Sequence, residues 1–239
     1  ALQHEQRQTM QSMISMGIRM EHLAVNKTLR STAVMTSNET LVAAERWDNF
    51  SSPSSQPIED LQAAIDLIRA NTGKSKGAIK IAMHQFVFRT ITQHPNVLSR
   101  VQFNTTNTGA ILNKKILADV LDINPDDIHV SVAKFTDSKQ GATDTFKAFL
   151  GSDVILGFVE DGGLDDQALG HEFVFDGLGG EEPFLVRKWR EEGKGAIGID
   201  FVGVACAVDY KATNAADAGF LFKAVVDTTD TERYGTMLD

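Results

Sequence analysis

The side chains best suited to chemistry in this sequence lie in an acidic segment between residues 160 and 183, which holds eight Asp or Glu residues. Closely spaced carboxylates on a loop supply the oxygen ligands that calcium and magnesium prefer. The spacing matches no EF-hand loop, because the alternation of ligands and the terminal Glu are missing. A solvated acidic loop is therefore the favoured interpretation, and a metal-dependent hydrolase using residues 160–172 is kept as a second hypothesis. Its candidate side chains are Glu160, Asp161, Asp165, Asp166, His171 and Glu172.

Other patterns that could carry chemistry are weak. Thr72-Gly73-Lys74-Ser75 is similar to the end of a phosphate-binding loop, but Ile68 stands where that loop needs its first glycine. The six histidines are scattered, and no pair has the spacing of a metal-binding helix. The sequence has no Gly-x-Ser-x-Gly motif, and Cys206 lies in the apolar run 202–208, where a small buried side chain is expected. We therefore expect no catalytic residue, no metal and no cofactor.

Composition limits the class of protein further. With 239 residues and 42% hydrophobic side chains, the chain is long and apolar enough to bury a substantial core. A net charge of −9 argues against a protein whose main task is to grip nucleic acid. One cysteine allows no intrachain disulfide and fits a reducing cytoplasm. We also expect no membrane span and no secretion signal. Because the chain starts at Ala1, it is interpreted as a processed or trimmed product.

Hydrophobic periodicity predicts the elements that hold these residues, in a chain of the α+β class. A long amphipathic helix is expected over about 5–24, with Met10, Met13 and Ile14 on its apolar side. Residues 27–56 are predicted to form an extended connection. A second helix should begin at Pro57, since proline suits the first helical position, and end at Gly73.

Strands and further helices follow in the rest of the chain. A strand over 78–83 leads into a helix that is interrupted at His94-Pro95. A further helix is predicted over about 109–121. The remaining strands are predicted within 128–133, 152–159, 184–187, 196–210 and 220–226, and the acidic segment 160–183 is predicted to be a mobile loop region on either side of residues 173–175.

Three short motifs occur in a specific order along these elements. Trp47-Asp48 and the segment 51–58 precede the helix at Pro57, and His94-Pro95 follows the next strand. Near the end, the stretch 208–223 contains Ala218-Gly219 before an apolar strand. In this order the motifs resemble those of the major capsid proteins of tailed bacteriophages, over most of the chain.

The resemblance implies the Hong Kong 97-type capsid fold. Residues 1–56 plus 188–214 would form the peripheral domain, with 5–24 as its spine helix. Residues 57–187 plus 215–239 would form the axial domain. An N-terminal arm and an extended hairpin usually precede the spine helix in this family. We expect them in residues that are not included here, with the alternative that residues 27–56 take over some of their contacts.

The function implied is that of a structural subunit that assembles into an icosahedral virion shell around double-stranded DNA, in the bacterial cytoplasm. Its partners would be copies of itself in pentamers and hexamers, with cement, portal and scaffold proteins and weak DNA contact. A shell protein of a cellular nanocompartment stays as an alternative. The side chains expected at inter-domain or inter-subunit contacts are Met10, Met13, Ile14, Trp47, Phe50 and Pro57. For Trp47 and Phe50, plain core packing is an equal alternative.

Overall fold

The computed structural model describes most of the chain and divides it into two compact units. The described residues are 2–74, 78–104, 113–136, 138, 141, 143, 145–160, 167–175, 184–191 and 199–228. The smaller unit consists of residues 1–24 and 171–211, and the larger unit of 25–170 and 212–239. Helices and sheets occur together, which confirms the predicted α+β class.

Five α-helices lie within the described residues. They are α1 (Leu2–Ala24), α2 (Pro57–Thr72), α3 (Gln85–Gln93), α4 (Pro95–Asn104) and α5 (Lys114–Leu121). A short π-helix, Val25–Leu29, follows α1, and a 3-10 turn, Pro125–Asp127, precedes the third strand.

Eleven strands are described. The first six are β1 (Asn38–Thr40), β2 (Ile79–His84), β3 (Ile128–Ser131), β4 (Lys134–Thr136), β5 (Phe146–Ala148) and β6 (Val154–Phe158). The others are β7 (His171–Val174), β8 (Phe184–Glu191), β9 (Ile199–Cys206), β10 (Val208–Lys211) and β11 (Gly219–Lys223).

A five-stranded mixed sheet forms the centre of the larger unit, in the order β1-β11-β6-β2-β3. The outer pairs β1–β11 and β2–β3 are parallel, whereas β6 is antiparallel to both of its neighbours. Every residue of β6 is buried, as expected for a central strand that reads as a continuous apolar run. Helix α2 packs against β6 and β11, and α3 packs against β2 and β3.

Two glycines that face each other on adjacent strands allow neighbouring side chains to pack directly against the backbone of this sheet. Gly157 of β6 is paired with Gly219 of β11. A Cβ atom at Gly219 would lie 2.5 Å from Leu169 Cδ1 and 2.6 Å from Met35 Cε. Leu169 and Met35 therefore occupy the space that side chains at the glycine pair would fill.

The segment predicted as an extended connection, residues 27–56, is instead part of the core of the larger unit. Met35 and Trp47 are completely buried and Leu41 is 4% exposed. Residues of β1 pair with the distant strand β11, with Asn38 opposite Leu221. The prediction was wrong because the Thr- and Ser-rich composition of this segment does not reveal a strand partner so far away in the sequence.

Local signals placed the ends of α2 correctly. Pro57 is the first residue of the helix, and Gly73 ends it with φ 66° in the left-handed region, where its N–H bonds to the Arg69 carbonyl. The predicted break at His94-Pro95 is also present, since α3 ends at Gln93 and α4 begins at Pro95.

The smaller unit combines α1 with two antiparallel strand pairs, β8–β9 and β7–β10. Helix α1 packs against β9, and the Cys206 thiol lies 3.3 Å from Met20 Sδ. His171 is paired with Lys211, so the first and last residues of the excursion 171–211 lie opposite each other. In the larger unit, the Asn214 N–H donates to the Leu169 carbonyl at 3.3 Å.

Both units are discontinuous in sequence, and their bounds differ from those of the two domains that the resemblance implies. Residues 25–56 belong to the larger unit because their apolar side chains enter its core. Residues 171–187 belong to the smaller unit, in which β7 pairs with β10. The assignment of the units as peripheral and axial domains stays a prediction.

An ion pair between half-buried Arg30 and buried Asp153 joins three segments of the larger unit. Arg30 Nε donates to Asp153 Oδ2 at 2.7 Å, and the same guanidinium donates to the Phe149 carbonyl at 3.1 Å. The other carboxylate oxygen of Asp153 accepts from the Ala224 N–H at 3.4 Å. Asp153 is only 2% exposed, so these hydrogen bonds replace the solvation that its carboxylate loses on burial.

Replacing Arg30 by Met should lower the free energy of unfolding by about 2–4 kcal/mol, because it leaves a buried carboxylate without its counter-ion. Chemical denaturation measures the change. Lys27→Met is the matched control, since Lys27 is exposed on the π-helix that ends just before Arg30, and it should change stability by less than about 0.5 kcal/mol. Equal effects of the two substitutions would contradict this role of Arg30.

Candidate functional site

The region around Trp47 and His94 was singled out by its motifs, and in the structure it is a buried junction. Trp47 is completely buried, and its Nε1 donates to Asp60 Oδ2 in the first turns of α2 at 2.8 Å. Its backbone N–H donates to the Val225 carbonyl at 2.8 Å, and its ring lies 5.7 Å from that of Phe222. Trp47 thus connects its own loop, α2 and the segment after β11.

The Asp60 carboxyl is harder to ionise at this junction than in water. Burial raises the pKa of the Asp60 carboxyl from 3.8 to about 6, and the hydrogen bond from Trp47 opposes the rise. The negative charges of Glu39, Glu59 and Glu45 raise that pKa further. An ionised carboxylate is therefore less favourable at this position in the folded chain than in the unfolded chain.

A second polar network lies at His94, between α3 and α4. His94 Nδ1 accepts from the Asn96 N–H at 3.2 Å, so the other ring nitrogen, Nε2, carries the proton in the neutral ring. Nε2 lies 3.1 Å from Ser55 Oγ, and that hydroxyl donates to the Arg46 carbonyl at 2.8 Å. The ring of Phe50 meets the His94 ring edge-on at 5.5 Å.

The Ser55–His94 pair has a structural arrangement rather than that of a nucleophile and its base. Ser55 and His94 are 0% and 1% exposed. In a catalytic pair, the histidine accepts the serine proton and its other nitrogen donates to an orienting group. Here Nε2 donates to the serine and Nδ1 accepts from the backbone. Burial lowers the pKa of His94, which keeps the ring neutral.

The predicted contact residues take different places. Trp47 is completely buried in the larger unit, which agrees with the core alternative, and its role at an inter-domain or inter-subunit contact stays a prediction. Pro57 is buried at the start of α2, and Phe50 is half-buried against His94. Met13 is half-buried on α1, but Met10 and Ile14 are 66% and 56% exposed. The expectation that both pack α1 on the late strands is therefore wrong, although their role as inter-subunit contacts stays a prediction.

The acidic segment is only partly described. Asp161, Asp165 and Asp166 lie outside the described residues. Glu160 forms an ion pair with Lys74, with 2.9 Å between Oε1 and Nζ. Glu172 accepts from Tyr210 Oη at 3.4 Å. Within the part of the chain that the structure describes, no cluster of three or more His, Cys, Asp or Glu side chains could hold a metal ion.

A groove on the surface of strands β8 and β9 was not predicted from the sequence. An open groove of about 620 Å³ lies on the β8–β9 hairpin. The Trp189 ring covers Gly203 in it, because a Cβ atom at position 203 would lie 2.8 Å from Trp189 Cζ3. The groove is lined by Leu185, Arg187, Lys188, Trp189, Gly203, Val204 and Ala205. Two cations beside a tryptophan on one strand were a detectable signal in a chain of net charge −9.

None of the helices that the structure describes has both the length and the apolar character that a membrane span requires.

The chain is similar in fold, but not closely in sequence, to a protein of known structure. No protein-family model matches the chain. None of the curated proteins matches it either. Among solved structures, the chain is similar to a phage-related protein from Bordetella bronchiseptica RB50, with a TM-score of 0.63 and 21% sequence identity.

The similar region is extensive in this chain but not in the other protein. It covers 86% of this chain and 62% of the phage-related protein, so the chain spans less than two thirds of that protein's length. At 21% identity, what the two chains share is a fold. The mixed helical and sheet architecture described above is therefore that of a known phage-related protein.

Replacing Trp47 by Ala should lower the free energy of unfolding by about 3–5 kcal/mol, because it empties a buried indole site. Trp47→Phe should cost about 1–3 kcal/mol, since it retains an aromatic ring but leaves Asp60 without the indole N–H. Denaturant titration measures both. Val42→Ala is the control, because Val42 is 59% exposed. A Trp47→Ala variant as stable as this control would contradict the core role.

Asp60→Asn should stabilise the protein at neutral pH. The folded pKa of about 6 lies above the ordinary 3.8, so the folded state binds more protons between these values. The stability that protonated Asp60 contributes is therefore lost as pH rises from about 4 to 6. Asn accepts the indole N–H without ionising.

Denaturation at several pH values tests this dependence. The advantage of Asp60→Asn over the native chain should grow from near zero at about pH 4 to about 1–3 kcal/mol at pH 7. Asp217→Asn, at an exposed position of the same unit, should show no such growth. If the difference in unfolding free energy between Asp60→Asn and the native chain were the same at every pH, the ionised Asp60 carboxylate would not be destabilising.

Proposed function

We propose that this protein is a structural subunit of the icosahedral shell of a tailed bacteriophage, built on the Hong Kong 97-type fold and without catalytic activity. The observation that carries the proposal is the likeness of fold to a phage-related protein over 86% of the chain. The motifs around Trp47 and His94-Pro95 point to the same class of protein independently of that comparison. Two independent lines thus support a phage role, and the capsid role is the finer proposal.

The two-unit architecture supports a shell subunit. The proposed peripheral domain is the smaller unit, with α1 as the spine helix, and the proposed axial domain is the larger unit with its five-stranded sheet. This revises the bounds from 1–56 and 188–214 to 1–24 and 171–211 for the peripheral domain.

The buried polar groups of the larger unit are consistent with a structural role. Ser55, His94 and Asp153 are all nearly completely buried, and each bonds to backbone groups that it holds in place. A shell subunit needs a rigid shape and many modest contacts, which add through symmetry and multivalency.

The proposed partners are copies of the same chain in pentamers and hexamers, with cement, portal and scaffold proteins at particular positions. Contact with packaged double-stranded DNA would be weak, because a chain of net charge −9 is repelled by phosphate on average and the charge of the inner face would decide the contact. The proposed location is the virion.

The full-length gene product should form regular closed shells when it is expressed in bacteria. Negative-stain microscopy of the material that sediments with particles measures this, and nucleic-acid and protein analysis identifies the contents. Shells that enclose a cargo protein would favour the nanocompartment. A monomer of about 26 kDa that carries stoichiometric metal would contradict both shell proposals and favour the hydrolase.

A further inference from the structure

Helix α1 has one side that packs and two flanks that differ in character. The packed side contains half-buried Thr9, Met13, Met16 and Met20, and the helix lies on β9. With about 3.6 residues per turn, Gln8, Ser12, Ser15 and Arg19 project from one flank, and Met10, Ile14 and Ile18 project from the other. A helix that only covered a strand pair would have two polar flanks.

The apolar flank is open to solvent in this chain. Met10, Ile14 and Ile18 are 66%, 56% and 41% exposed. They follow each other at intervals of four residues, so they form a continuous stripe along the helix. A stripe of this kind is typical of a helix that packs against a second helix.

Charged residues mark both ends of the stripe. Arg7 precedes Met10 by three residues, Glu21 follows Ile18 by three, and both side chains are exposed. The intervals along Arg7, Met10, Ile14, Ile18 and Glu21 are therefore three, four, four and three. This spacing is symmetric about Ile14, with opposite charges at the two ends.

We propose that this stripe binds the same stripe of a second copy of the chain, with the two α1 helices antiparallel about a twofold axis at Ile14. In that arrangement Ile14 meets Ile14 of the second copy, Met10 meets its Ile18, and Arg7 meets its Glu21. A twofold interface requires such self-complementarity, since each contact occurs twice. A parallel pair would place Arg7 against Arg7 and Glu21 against Glu21, so the charges select the antiparallel pair.

The contact is small, with three apolar side chains from each copy. One such helix pair is weaker than a standard stable interface and would persist mainly where many copies are held together. The pairing goes beyond the proposed shell function and does not require it, because the argument uses only residues of α1.

Cysteine cross-linking of the full chain tests the geometry. Ile14→Cys places two thiols at the twofold axis, where a disulfide can join the copies. Ser12→Cys is the matched control, exposed on the polar flank of the same helix. Under mild oxidation, the Ile14→Cys chain should form covalent dimers at least about tenfold faster than the Ser12→Cys chain. Equal rates would overturn the pairing.

Charge reversal tests the direction of the helices. In the Ile14→Cys background, Arg7→Glu or Glu21→Arg alone creates two like-charged contacts and should slow cross-linking by about tenfold at low salt. Mixing the two variants restores both opposite-charge contacts, so the mixture should regain the original rate as a mixed dimer. A mixture that cross-links no faster than its components would overturn the antiparallel pair.

Microscopy of the same preparations separates this inference from the proposed function. Shells without preferential cross-linking at position 14 would contradict the helix pair and leave the shell proposal intact. Cross-linking without shells would support the helix pair and contradict the shell proposal.

Discussion

The larger unit depends on the burial of one indole ring. A tryptophan that is completely buried must still find an acceptor for its N–H, and the Trp47 ring finds it in Asp60. The requirement fixes the position of α2 relative to the loop before it. Since the Trp47 backbone also bonds to Val225, the same residue holds the segment that follows the last strand. The loop around Trp47, the nearby helix α2 and the distant segment after β11 are thus joined at one residue.

The partly buried Asp60 carboxylate lowers the stability of the folded chain at neutral pH, but it fixes the orientation of the Trp47 ring. The carboxylate that accepts the indole N–H is itself partly buried, with other acidic side chains nearby. A neutral acceptor would be less costly, but the carboxylate forms the stronger hydrogen bond. The His94 network shows a different solution, because there the ring is kept neutral and all its bonds are to uncharged groups.

The parts of the fold that were predictable from the sequence are those that local signals decide. Pro57 and Gly73 define the ends of α2 through backbone geometry alone, and Pro95 ends the preceding helix because proline does not fit a helix interior but suits the first position of the next helix. The pairing of β1 with β11 depends instead on contacts between residues about 180 positions apart, such as Asn38 and Leu221. Composition around Asn38 carries no sign of that partner, so the sequence predicts a connection there instead of a paired strand. For α1, periodicity identified the helix but not which of its two apolar sides would be covered.

The pairing of His171 with Lys211 has a consequence for how this protein can change in evolution. Just outside these residues, the bond between Asn214 and Leu169 holds the chain ends together again in the larger unit. The two ends of the segment 171–211 are therefore close together, and a backbone hydrogen bond between the residues just outside it also holds the flanking chain together. Loop-closure entropy depends only weakly on length. Insertions or deletions between these two positions would thus leave the sheet of the larger unit undisturbed, so this part of the chain can change in length without a change in the strands that precede and follow it.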